Sequence, residues 1–164
     1  MRPSCLLFAL LLLLPACGSS DPRALTDEGS SALATGDASA AAASFEKALA
    51  LLKPGDPDFA RASMGRFQAL VRLDPARAST EFLAYAKANP ASTSEGDFGT
   101  LVGEFLRRDR TVEAIDVMDA GVKAFPKSEA MLAIRAKVEE QAKSAKDPAA
   151  MQKLKGLGYI GGDK

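Results

Sequence analysis

The sequence predicts an all-α protein built from stacked helical hairpins. Three observations lead there. Prolines recur at Pro54, Pro90 and Pro126, each 36 positions after the last. Ahead of each stands the same pair, an alanine and then a large apolar side chain four residues later: Ala41 with Phe45, Ala78 with Phe82, Ala114 with Met118. Strand signals are missing, because β-branched residues are sparse and apolar–polar alternation is absent, whereas alanine, the best helix former, is abundant.

The chain opens on a segment set apart from the rest. Arg2 is the only charge in Met1–Ser20, and Leu6–Leu14 is an unbroken apolar run. As a helix that run would span about 13 Å, well short of the ~30 Å hydrocarbon core of a bilayer. A basic start, a short apolar core and then small residues fit a secretory signal over 1–16. Leu14-Pro15-Ala16-Cys17 resembles the bacterial lipobox, with Pro15 standing where that family has Ala, Ser or Thr. The resemblance implies lipid on the Cys17 sulfur, cleavage before Cys17 and a bacterial envelope lipoprotein. Gly18 after the cysteine implies the outer membrane, facing the periplasm. The alternative is an ordinary secretory cut near Ala16 or Gly18, with Cys17 left as a plain thiol. Residues 17–23 are small and polar and read as a tether.

Removing 1–16 takes away Cys5 and Arg2. A single cysteine then remains, so no internal disulfide forms, and 20 basic residues stand against 21 acidic ones. Near neutrality argues against a nucleic-acid partner, which needs a basic excess on one face. The chain has no histidine, the commonest general base and metal ligand. With Cys17 lipidated, thiolate chemistry goes too. Glu139 and Glu140 are adjacent and so point to different sides of a helix. Gly156-Leu157-Gly158 lacks the strand and the Lys-Ser/Thr of a phosphate loop. The expectation is a non-enzyme with no cofactor and no metal.

Helices are expected over 22–35, 38–52, 57–73, 76–88, 95–108, 111–124, 128–145 and, briefly, 148–155. Gly36-Asp37 divides the first two. Asp56-Pro57, Asp74-Pro75 and Asp147-Pro148 each place a carboxylate at an N-cap and proline at the first helical position. Ser92-Thr93-Ser94-Glu95 reads as a capping box. Thr111 or Asp109 is the expected cap of the sixth helix and Ser128 that of the seventh. Residues 127–146 carry the apolar stripe Ala130, Met131, Ile134 and Val138, suited to a helix that covers the last hairpin.

The repeated unit resembles the tetratricopeptide repeat, a helix-turn-helix of about 34 residues. The third unit offers Phe98, Leu101, Val102 and Phe105, then Ala114, Met118, Gly121 and Pro126. The second offers Ala62, Gly65 and Ala69, then Ala78, Phe82, Tyr85 and Pro90. The first offers Leu25, Gly29 and Ala32, then Ala41, Phe45 and Ala48, with Pro54 one position late. Tryptophan is absent, the period is 36 and two units lack the leucine, so a related Sel-type hairpin array is the alternative. The resemblance implies a solenoid of about three repeats over 24–146, closed by a capping helix. It also implies a groove on the first helices that takes a protein or peptide. Its groove positions fall on Thr26, Ser30 and Leu33, on Ser63, Phe67 and Leu70, and on Gly99, Gly103, Leu106 and Arg107. Phe67 is the ambiguous one, since it serves equally well as core. Arg107-Arg108-Asp109-Arg110 is either a solvated turn or a clamp for carboxylate or phosphate.

Residues 147–164 form a short helix and a Gly-rich tail. Leu154-Lys155-Gly156-Leu157-Gly158-Tyr159-Ile160 resembles a Leu-x-x-Leu-Gly-Tyr segment near the end of many bacterial sulfatase catalytic domains. No such domain precedes it here, so no activity follows. The tail is expected to fold back and bury Leu157 and Tyr159, the alternative being a peptide that docks into a partner. The functional expectation is a membrane-anchored periplasmic scaffold or assembly factor. The alternative is an accessory domain of an envelope hydrolase such as a sulfatase.

Overall fold

A computed structural model describes residues 21–161. The signal segment, Cys17 and the first part of the tether lie outside the described residues. Eight α-helices and no strand are found among the described residues: α1 (Pro22–Thr35), α2 (Ala38–Leu51), α3 (Phe59–Leu73), α4 (Pro75–Ala88), α5 (Glu95–Leu106), α6 (Thr111–Ala124), α7 (Glu129–Ser144) and α8 (Pro148–Gly156). A 3-10 turn over Pro90–Ser92 lies between α4 and α5. None of these helices is long and apolar enough to cross a membrane.

Local chemistry sets the ends. Asp37 caps α2 by accepting from the Ala40 N–H at 2.9 Å, and Gly36, at φ +92°, supplies the left-handed residue that ends α1. Asp74 and Asp147 cap α4 and α8, with Pro75 and Pro148 as first residues. Three expectations are corrected. The capping box is Ser94 with Asp97, not Ser92 with Glu95; the Ser94 N–H donates to Asp97 at 2.8 Å. Asp56-Pro57 lies in a turn, where Asp56 accepts from the Lys53 N–H, and α3 starts two residues later. Neither Thr111 nor Asp109 caps α6: Arg110 holds the cap position without a side-chain bond, and Thr111 is buried.

The helices pack in two rows. α1, α3, α5 and α7 touch in succession, and α4, α6 and α8 do likewise, each odd helix also packing on the even one that follows it. The odd helices are called first helices below, the even ones second helices. α2 lies against α3, and α4 and α5 do not run close along their lengths. Aromatic side chains span that gap: Phe82 meets Phe67 of α3 edge-on at 5.6 Å and Phe98 of α5 at 5.1 Å between centroids.

The repeating pair explains the spacing of the rows. Ala41, Ala78 and Ala114 are fully buried, and Phe45, Phe82 and Met118 are at most 1% exposed. Ala150 and Leu154, 36 positions beyond Ala114 and Met118, are fully buried in the same way. So α7 is not a lone cover: α8 packs on it and on α6, making a fourth pair. The first core, around Phe45, includes Leu25, Ala41, Ala48, Ala62 and Ala69. The second runs from Phe67 to Leu154. α3 contributes to both.

Phe45 sits between two glycines. A Cβ on Gly29 would come within 2.8 Å of its ring, and one on Gly65 would come closer still. Gly65→Ala is expected to destabilise the protein by about 1–3 kcal/mol through overpacking. Phe45→Leu in the same chain is expected to recover part of that loss. A double-mutant cycle from urea unfolding measures the coupling.

Candidate functional site

A groove of about 560 Å³ opens across the first helices. α1 supplies Ser30, Leu33 and Ala34; α3 supplies Ala60, Arg61, Met64, Gln68 and Arg72; Asp97 stands at the start of α5; and the Phe45 ring forms the floor beside Gly65. The strip on α3 is the face left over after its other sides are buried, since Ala62, Ser63, Gly65, Phe67, Ala69, Leu70 and Val71 are all covered. The groove therefore combines apolar side chains with both signs of charge and two uncharged polar groups.

Its polar groups are held in place. The Arg72 guanidinium donates to the Leu33 carbonyl at 2.9 Å, tying the last turn of α1 to α3, while its buried Nε has no partner among the described residues. Arg61 pairs with Asp27 of α1 at 2.5 Å and with Asp58 at 2.9 Å. The hydrogen bond that Arg61 donates to Asp27, partly opposed by burial and aided by Asp58, raises the Arg61 pKa and keeps it charged. Asp97 is committed to the Ser94 cap. The Ser30 hydroxyl donates to the Thr26 carbonyl at 2.8 Å. Among the described residues no three of His, Cys, Asp and Glu gather as a metal site. What the groove offers chemically is apolar contact on Met64 and Leu33 and polar contact along both walls, suited to an extended or helical chain.

The groove residues expected from the sequence are only partly there. Ser30 and Leu33 line it. Thr26 is fully buried, its hydroxyl donating to the Pro22 carbonyl at 2.7 Å. Ser63, Phe67 and Leu70 are buried, and Phe67 packs edge-on against Phe82 and Tyr85 of α4. The open strip on α3 lies one residue beyond Ser63 and Phe67, at Met64 and Gln68, and two beyond Leu70, at Arg72, since Val71 is fully buried. The cause is the connection. Two residues, Gly36-Asp37, join α1 to α2, whereas Asp74 alone joins α3 to α4. One residue fewer turns the first helix by about 100° relative to the second.

On α5, Leu106 is buried, Gly103 lies beside the Arg107 side chain, and Arg107 is exposed and paired with Glu104. Glu104 also takes Arg108 at 2.6 Å, so this turn is held by its own ion pairs. Gly99 faces Ile134 of α7. None of these α5 positions joins the groove of α1 and α3.

A second place where charges converge lies on the opposite row. Arg66 of α3 bridges Glu46 of α2 at 3.2 Å and Glu81 of α4 at 2.5 Å, and Arg77 bonds Glu81 at 2.6 Å. Burial alone would raise Glu81, but the hydrogen bonds from Arg66 and Arg77 hold it below the usual carboxylate range. This network fills the space between α2 and α4, which do not pack side by side.

The C-terminal segment folds back as expected for Tyr159 and not for Leu157. The Tyr159 hydroxyl donates to Asp119 of α6 at 3.0 Å, and the Arg135 guanidinium lies 5.6 Å over its ring. Leu157 stays 38% exposed. Lys153 pairs with Asp116 at 2.6 Å. Compared with family models, curated proteins and solved structures, the chain has no match in any of the three.

Burial, with the Asp119 bond and charge, pushes the Tyr159 phenol from 10.0 up to about 12. Tyr85 is raised as well, by burial first and Asp97 second. A phenol is neutral when protonated, so a raised folded-state pKa stabilises the fold at every pH below about 10, and the stabilisation drains away between about 10 and 12. The chain holds two tyrosines and no tryptophan. Phenolate absorbance is therefore expected to titrate above the free-tyrosine value at both residues, and Tyr159→Phe should remove the higher step.

Proposed function

We propose that the chain is a lipid-anchored helical-repeat protein of the cell envelope, similar to tetratricopeptide repeats, whose first-helix groove holds a polypeptide partner. The observation that carries this reading is the groove itself. It is mixed in chemistry, and it lies across successive first helices. Nothing in it pairs a nucleophile with a base. The four-fold recurrence of a buried alanine and a buried large side chain supports the repeat. The order of helices supports it as well, with short connections within each pair.

The anchor rests on the lipobox resemblance at Cys17. From Cys17 to Asp21 the chain reaches at most about 14 Å. A lipid on Cys17 would hold the start of α1 close to the bilayer, with the groove facing the periplasm. The role that fits is a scaffold or assembly factor, with a protein or peptide as ligand and no nucleic acid. The accessory-domain alternative gains nothing from the Leu-Gly-Tyr segment. Leu154 is core and Tyr159 is bonded to Asp119, so neither is free to reach a hydrolase.

Two outcomes check this reading separately. Cys17→Ser protein is expected to leave the membrane fraction, and intact mass of the wild type should carry an added lipid. Persistence of the variant in the membrane, with no lipid on the wild type, would sink the anchor. For the groove, Met64→Asp with Gln68→Ala is expected to lower recovery of crosslinked partners from envelopes by at least tenfold. Met64 packs against the core, so Gln68→Ala alone, at a half-buried polar position where the melting temperature should move little, is measured beside the double variant.

A further inference from the structure

The groove of α1 and α3 carries one charge that the fold leaves unanswered. Arg66, Arg72, Arg108 and Arg135 are the half-buried arginines among the described residues. Arg66 reaches Glu46 and Glu81, Arg108 holds Glu104 at 2.6 Å, and Arg135 lies 3.3 Å from Glu139. Arg72 pairs with no carboxylate among the described residues; its bond there is the one from Nη1 to the Leu33 carbonyl. Its Nε is buried, so the part left to a ligand is Nη2, on the wall of the groove.

The other charges that line the groove are answered. Arg61 pairs with Asp27 and Asp58, and Asp97 accepts from the Ser94 N–H and hydroxyl. The strip on α3 is therefore neutralised at its Arg61 end and cationic at its Arg72 end. A guanidinium held partly away from water without a counter-charge is costly, and an incoming carboxylate offsets that cost with charge-assisted hydrogen bonds.

The geometry of the strip sets what must accompany the carboxylate. Arg61, Met64, Gln68 and Arg72 follow one side of α3 and line the groove together. From first to last they span about 16 Å along the helix axis, the length of about five extended residues. Met64, the large apolar side chain of the strip, stands about 12 Å from Arg72 along that axis, or about three to four extended residues. Leu33 and Ala34 of α1 face it across the groove.

We propose that the groove selects an extended segment that carries an acidic side chain for Arg72 and, about three to four residues away, a large apolar side chain for Met64 and Leu33. This specificity presupposes that the groove holds a polypeptide, and it adds what that polypeptide must carry. The Arg61 end, already neutral, asks for no second charge.

The test probes the full chain with arrays of short peptides, acetylated and amidated so that the only charge is on a side chain. Each has one leucine in an alanine–serine background and, at every spacing from it, either glutamate or its uncharged twin glutamine. At a spacing of three or four the glutamate peptide is expected to bind about tenfold more tightly than its twin, with no such gap when the two residues are adjacent. Arg72→Gln should erase the preference, Arg72→Lys should keep part of it, and Met64→Ala should weaken both twins alike. Twins that bind the wild type equally overturn the proposal and leave the polypeptide groove standing; binding to no peptide overturns both. A preference that survives in a folded Arg72→Gln chain also overturns it, as does a preference for a free C-terminal carboxylate over the side chain. If Arg72→Gln does not fold, Arg72→Lys decides: a partial loss of the preference supports the assignment to Arg72, and an unchanged preference refutes it.

Discussion

Phe45 can lie between α1 and α3 only because Gly29 and Gly65 present no side chain to it. That exchange, one large residue on the second helix for small ones on the first helices, sets how closely consecutive pairs approach. Ala41 and Ala48, fully buried on the same helix, extend the close contact. The pair of a buried alanine and a buried large side chain then recurs with Phe82, Met118 and Leu154 as the large member. Each fully buries an aromatic or aliphatic side chain of the kind that contributes about 2–3 kcal/mol. One hairpin has nowhere to bury such a face, so each pair depends on the next.

The row is not uniform, and the irregularity places the groove. Between the second and third pairs the backbones of α4 and α5 stand apart, and a run of edge-on rings joins Phe67, Phe82, Phe98 and, at 6.0 Å, Phe125. α3 therefore contributes to both cores and is buried on nearly every side. Its one open strip faces α1, and there Arg72 fixes the end of α1 through the Leu33 carbonyl. On the opposite side Arg66 and its two glutamates fill the gap between α2 and α4. Ion pairs this close to water contribute little singly, but the half-buried Arg66 at their centre fixes the orientation of three helices at once.

Much of this was legible in the residues. The helix bounds follow from Gly36-Asp37, Asp74-Pro75, Ser128 and Asp147-Pro148, because caps and prolines act locally. The Ala-x-x-x-large pattern marks the cores, and a fourth instance stands at Ala150 and Leu154, just ahead of the glycines that end the last helix. The open strip of α3 falls beside Ser63 and Phe67 and not on them because the phase of a helix depends on the length of a connection and not on composition. Phe67 looked like a ligand contact for the same reason: an aromatic on a first helix is ambiguous until the turn is known. Leu157 was expected inside, but a segment with Gly156, Gly158 and Gly161 has too little side chain to cover it.

The proposed role requires the groove of α1 and α3 to be the face that holds another polypeptide. The most direct measurement places a photoreactive amino acid at Met64 and, in a parallel protein, at the exposed Ala43 on the back of α2. Each protein is irradiated in intact envelopes, and its adducts are read by mass. The account predicts peptide-bearing adducts from position 64 and few or none from position 43. Adducts confined to position 43, or equal at both, would contradict it.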